Sequence, residues 1–137
     1  MKYFQFLTLL FGLAFFTYSC ETKESPERKK LYKEVMAIHD DVMPEMKTIN
    51  TLERAIKKKI DSNGSQDSIV MMKATLKRLE TADQMMMNWM HELNVPNRSV
   101  PDAEAIAYLK EEKIKIERVS IKMRKAIESG QAIVEKF

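Results

Sequence analysis

Disulfides are out of reach for this chain, because Cys20 is its only cysteine. That disfavours the small secreted folds that are stapled by several bridges. Three glycines in 137 residues leave no Gly-rich loop to cradle a phosphate. Histidine is equally scarce: His39 and His91 are the only two. Neither belongs to a His-x-x-x-His run, no Cys-x-x-Cys-His segment exists for covalent haem, and no serine or thiol stands beside a histidine in a nucleophile motif. No catalytic residue is expected, and the chain reads as a non-enzyme. Charge of one sign is missing too. Lys plus Arg number 23 against 20 Asp plus Glu, which argues against a dedicated nucleic-acid binder with its basic face for phosphates. No stretch alternates with period two for long enough to make a strand.

The apolar material that is present falls into two kinds. Met1-Lys2 is followed by an apolar run from Tyr3 to Tyr18, the pattern of a secretory signal peptide and marginal in length for a spanning helix. Thr17-Tyr18-Ser19-Cys20 resembles a bacterial lipoprotein box, in which cysteine follows a small residue. The expected organisation is a signal peptide over 1–19, a lipidated tether over 20–25 that begins at Cys20, and one helical domain over 26–137. The protein is then expected on the exported side of the inner membrane, or at the outer membrane, of a Gram-negative bacterium.

The remaining apolar residues recur at helical spacing. Ser25-Pro26-Glu27 reads as N-cap, first helical position and first-turn acid. Leu31, Val35, Ile38, Val42, Ile49, Leu52 and Ile56 then alternate spacings of four and three. This predicts a long helix ending near Ile60, kinked where Pro44 removes a hydrogen bond from the carbonyl of Asp40. Asp61-Ser62-Asn63-Gly64 is the turn. A second helix, capped by Ser65 or Asp67, carries Ile69, Met72, Leu76, Leu79, Met86, Trp89 or Met90, and Leu93. Pro96 ends it, and Ser99-Val100-Pro101-Asp102 opens a third with Ala105, Leu109, Ile116, Val119, Met123 and Ile127. Gly130 looks like a weak spot in that helix. The prediction is an all-α, elongated, up-down-up three-helix bundle with coiled-coil-like packing. Asp83, Glu112 and Lys113 interrupt their stripes; they could form a buried polar layer that fixes register, but reaching to the rim is the favoured expectation, since long charged side chains are seldom fully buried.

Three stretches stand out: Glu34–Pro44 with its His39-Asp40-Asp41-Val42-Met43-Pro44, Met86–His91 with Trp89-Met90-His91, and Tyr108–Ile114. Together they resemble small lipoproteins of Bacteroidota that carry the label "viral A-type inclusion protein". The resemblance covers most of the chain after Cys20. It implies an acylated helical bundle and brings no catalytic residues.

Two function classes follow. The first is a lipid-anchored structural or protein-interaction module of the cell envelope, with a protein partner or a second copy as its target. The second is an envelope metal-binding protein. Folding the first two helices about residues 63–64 sets His39 opposite Asn88, and His91 opposite Met36. Folding the second and third about residues 97–98 sets His91 opposite Glu104, and Met87 opposite Tyr108. His39, His91, Glu104, Met36, Met43 and Met87 would then converge, and imidazole with thioether suits copper while imidazole with carboxylate suits zinc. His39 and Asp40 are sequence neighbours and should leave the helix on different faces.

Overall fold

The computed structural model describes residues 24–62 and 64–137. The expected signal peptide and the expected acylation at Cys20 lie outside the described residues, as does Asn63 of the turn. Four helices appear in order: α1 (Pro26–Val42), α2 (Glu45–Asp61), α3 (Gln66–Glu92) and α4 (Asp102–Lys136). No strand occurs among the described residues. Helices α1 and α2 are the two halves of the predicted first helix, so the architecture is an all-α three-helix bundle. Helix α4, about 50 Å long at 1.5 Å per residue, packs against all three others. No helix of the described residues is long and apolar enough to cross a membrane.

The break between α1 and α2 is a loss of hydrogen bonding more than a change of backbone. Met43 and Pro44 both keep right-handed helical dihedrals. Pro44 has no N–H to offer Asp40, and the chain tightens around the gap. Met46 N–H reaches the Met43 carbonyl at 3.1 Å, and Lys47 N–H reaches that of Pro44 at 3.2 Å. These are the i→i+3 bonds of a tighter turn. The helical phase survives: Arg28, Val35, Val42, Ile49 and Ile56 are all buried, seven residues apart through the break.

The same seven-residue period runs through α3 and α4, which is the signature of coiled-coil packing. Met72, Leu79 and Met86 form one row of α3; Ser68, Thr75, Ala82 and Trp89 form the other. The predicted Met72, Leu79, Met86 and Trp89 are buried, and only the row predicted through Ile69 and Leu76 lies one position off. Ile69, Leu76 and Met90 are only half-buried flanks, while two hydroxyl residues take the seam. Ser68 satisfies its hydroxyl locally, on the Ser65 carbonyl at 2.7 Å. Of the two predicted caps it is Ser65 that serves, accepting from Ser68 N–H.

In α4 the rows include Glu112 and Gly130. Glu112 does not reach to the rim as expected. Its side chain is 4 % exposed, and it accepts a hydrogen bond from Lys115 at 2.7 Å, so a nearby cation compensates the buried charge. Lys113 instead crosses to Glu34 of α1 at 2.7 Å. Gly130 is a close approach and no weak spot. A Cβ there would lie 3.0 Å from Leu52 Cδ1 and 3.3 Å from Leu79 Cδ1, so the missing side chain lets α4 touch α2 and α3 at one level.

Candidate functional site

The two histidines occupy different environments. His39 is half-buried on α1. Its Nε2 lies 3.4 Å from the Met90 sulfur, and its ring centre is 5.7 Å from that of Trp89. Contrary to the expectation from sequence adjacency, its Nδ1 also touches the neighbouring Asp40 carboxylate, at 2.9 Å. His91 is exposed on α3, as are Met87 on α3 and Glu104 on α4. Met36 and Met43 are half-buried. No hydrogen bond, ion pair or ring contact joins His39 to His91. Among the described residues no three His, Cys, Asp or Glu side chains are grouped to hold a metal ion.

One half of the predicted register holds and the other does not. The first fold places His39 at the level of Trp89 and Met90, within a turn of Asn88. The second fails because a non-helical stretch from Leu93 precedes the tight turn that Val100 N–H closes on the Asn97 carbonyl at 3.1 Å. Leu93 caps α3 with extended dihedrals, and the chain runs on without helix to α4. Tyr108 therefore meets Asn94, whose N–H donates to its hydroxyl at 2.8 Å, and not Met87. Farther along, Gly130 packs on Leu79. At 1.5 Å per residue this displaces Glu104 from the level of His91 by roughly 10–20 Å.

The segment after α3 is held by a residue the sequence reading did not single out. Arg28, 3 % exposed, sends Nη2 to the carbonyls of Pro96 (2.6 Å) and Asn97 (2.9 Å) and Nη1 to that of Val100 (3.2 Å). Nη1 also reaches Asp102 Oδ1, and Nε reaches Glu24, each at 3.4 Å. A guanidinium presents five N–H donors in a rigid fork, which suits it to gather acceptors from several directions. Ser25 N–H adds a bond to Asp102 at 3.0 Å, so Glu24 and Ser25 belong to the bundle end instead of to a free tether. Burial pushes the Asp102 carboxyl up, but the hydrogen bonds from Ser25 and Arg28 outweigh it and hold the group below its ordinary range.

A third feature is a groove of about 390 Å³ between α3 and α4. Its floor is Ala82, Ala126 and Met85, and its walls carry Lys77, Arg78, Lys122 and Lys125. All four cations are exposed. Among the described residues none of them forms an ion pair, and no Asp or Glu shares the lining of the groove with them. Thr81 and Ser129 turn their hydroxyls back to their own helices, onto the carbonyls of Lys77 and Lys125. Comparison of the chain with protein-family models, with curated proteins and with solved structures finds no significant match in any of the three.

Proposed function

We propose that this protein is a lipid-anchored helical bundle of the cell envelope that acts as a structural or protein-interaction module. The lipid would sit on Cys20. The observation that carries the interaction reading is the open groove between α3 and α4, whose apolar floor of Ala82, Ala126 and Met85 is covered by no element among the described residues. Small residues on the floor let another backbone approach closely, and an uncovered apolar floor ringed by polar residues is the usual form of a protein contact site. The resemblance to Bacteroidota lipoproteins agrees with an anchored bundle. A photo-crosslinking residue in place of Thr81, in the groove, tests the reading in cells that make the protein. A discrete adduct is expected from Thr81 and none from Lys58 on α2. Equal, diffuse labelling from both positions would refute it.

A metal-binding reading keeps one specific support, with a changed ligand set. With the Asp40 carboxylate accepting from Nδ1–H of His39, the neutral ring turns its Nε2 lone pair toward the Met90 sulfur. A carboxylate behind an imidazole is the ordinary way to orient a metal-ligating histidine, and nitrogen with thioether suits copper(I). His39 with Met90 then replaces His39 with His91. Titration with copper(I) should be weakened by His39→Ala and by Met90→Leu and be indifferent to His91→Ala. Equal loss in the His91 variant would restore the pairing expected from sequence, and no binding in any form would end the metal reading.

A further inference from the structure

We infer that the groove between α3 and α4 receives an acidic amphipathic helix of a partner protein, an inference that rests on the interaction-module reading and names its partner class. Charge is the first argument. Lys77, Arg78, Lys122 and Lys125 line the groove, and among the described residues not one has a carboxylate partner. No Asp or Glu stands among the residues that line the groove with them. A groove whose charged lining residues are all cations is a surface complementary to negative charge, and such complementarity sets partner choice and encounter rate.

Shape decides which negative partner. The cations stand on two walls, Lys77 and Arg78 on one helix and Lys122 and Lys125 on the other. They are spread along the groove and do not converge on a point, so a single compact anion would meet only one or two of them. An extended anion with carboxylates every three or four residues would meet them all. The floor is apolar and recessed between the helices. A flat membrane surface would reach the lysines and leave the floor empty, whereas the apolar stripe of a helix would fill it and complete a four-helix packing.

Orientation follows from α4. Glu104, Glu111, Arg118, Lys122 and Lys125 fall on one face at spacings of seven, seven, four and three. Acidic residues stand toward its start and basic ones beyond. A bound helix would therefore carry its carboxylates from the level of Lys122 to that of Lys77 and Arg78, and leave the Glu104–Glu111 stretch to neutral or basic residues.

The test uses the full chain in neutral phosphatidylcholine nanodiscs and a fluorescent helical peptide of about 20 residues, long enough at 1.5 Å per residue to span the groove. The peptide carries leucine and alanine on one face and glutamate on the other. Binding read by anisotropy should weaken by roughly tenfold or more in the variant K77E/K122E/K125E. The same loss is expected when every glutamate of the peptide is replaced by glutamine. A control variant, K58E/K59E, should bind as the parent does, and circular dichroism should give one helix content for all three proteins. Equal loss in the control variant, equal binding of the glutamine peptide, or no binding would overturn the inference. So would displacement of the peptide by phosphatidylglycerol in the nanodisc, with the same dependence on Lys77, Lys122 and Lys125, which would assign the groove to the membrane. A Thr81 crosslink without peptide binding would leave the interaction-module reading standing with a non-acidic occupant.

Discussion

Arg28 of α1 and Asp102 of α4 meet at 3.4 Å, and around that contact the chain entering the bundle is fastened to the chain turning from α3 to α4. Arg28 gathers carbonyls from a segment that has no secondary structure of its own. Without the guanidinium, the Pro96, Asn97 and Val100 carbonyls lose a donor inside the fold and Asp102 loses its cation. Arg28→Ala should therefore destabilise the protein by about 1–3 kcal/mol, the cost of leaving acceptors without their donor, because the carboxylates it leaves behind are partly exposed. Arg28→Lys should recover only part of this, since an ammonium cannot span five acceptors in one plane. Urea unfolding of the two variants beside the parent checks both expectations.

Acid should loosen the bundle through Glu34 and Asp102. The hydrogen bond from Lys113 holds the Glu34 carboxyl below its ordinary value of 4.5, and Asp102 is likewise depressed. A carboxyl with a lower value in the folded than in the unfolded state contributes stability that is complete above the unfolded value and lost as pH falls through the folded one. Glu53 acts in the opposite direction, because burial raises it. Lys113, raised by Glu34, loses its contribution only as pH climbs past its own ordinary 10.5. The urea midpoint should fall on going from neutral pH to below about 4, and Glu34→Gln should flatten that fall. An unchanged slope in the variant would show that the pair is not coupled to folding.

Trp89 is 5 % exposed, and its Nε1 has no hydrogen-bond partner among the described residues. Truncation to alanine should cost about 3–5 kcal/mol, as for other large buried aromatics. Trp89→Phe should cost far less than its lost area implies, because it also removes a buried donor that nothing satisfies. Thermal unfolding of the two variants separates the effects.

Gly130→Ala opposes two quantities. Helix propensity favours alanine by about 1 kcal/mol. Against it, the new Cβ would sit 3.0 Å from Leu52 and 3.3 Å from Leu79, both buried in the core. Overpacking of this kind costs about 1–3 kcal/mol, so the variant should be less stable than the parent. A more stable variant would mean that Leu52 can retreat.

Cys20→Ala should release the protein from the membrane fraction if the apolar run before it is a cleaved lipoprotein signal. Retention of an uncleaved Cys20→Ala chain would make that run an anchor. Fractionation with mass analysis of the N-terminus distinguishes the two.

The helices and their order were legible in the sequence because burial follows the seven-residue period, which survives even the proline. Arg28 was legible in principle: counting back seven from Val35 lands on it, at a seam position. It escaped because a charge at the start of a helix is normally solvated. Glu112 escaped in the same way, by sitting on the period while carrying the wrong chemistry for it. The register of α4 was not legible. It depends on how far the chain runs without helix from Leu93 before the Asn97–Val100 turn, a stretch whose carbonyls Arg28 gathers from far away in the sequence. The convergence expected of His91 and Glu104 rested on that register.

The fastening at Arg28 also has a mechanical meaning. Tension arriving through the chain before Glu24 would load α1 at its first turn, where a helix peels from its neighbours one contact at a time. Peeling is the weakest way to load a bundle, since each bond bears the force alone. Here the first turn is the one place where several bonds from a single side chain, together with that of Ser25, must yield at once. Past that point the pull runs along parallel α1 and α4, so the remaining contacts share the load in shear.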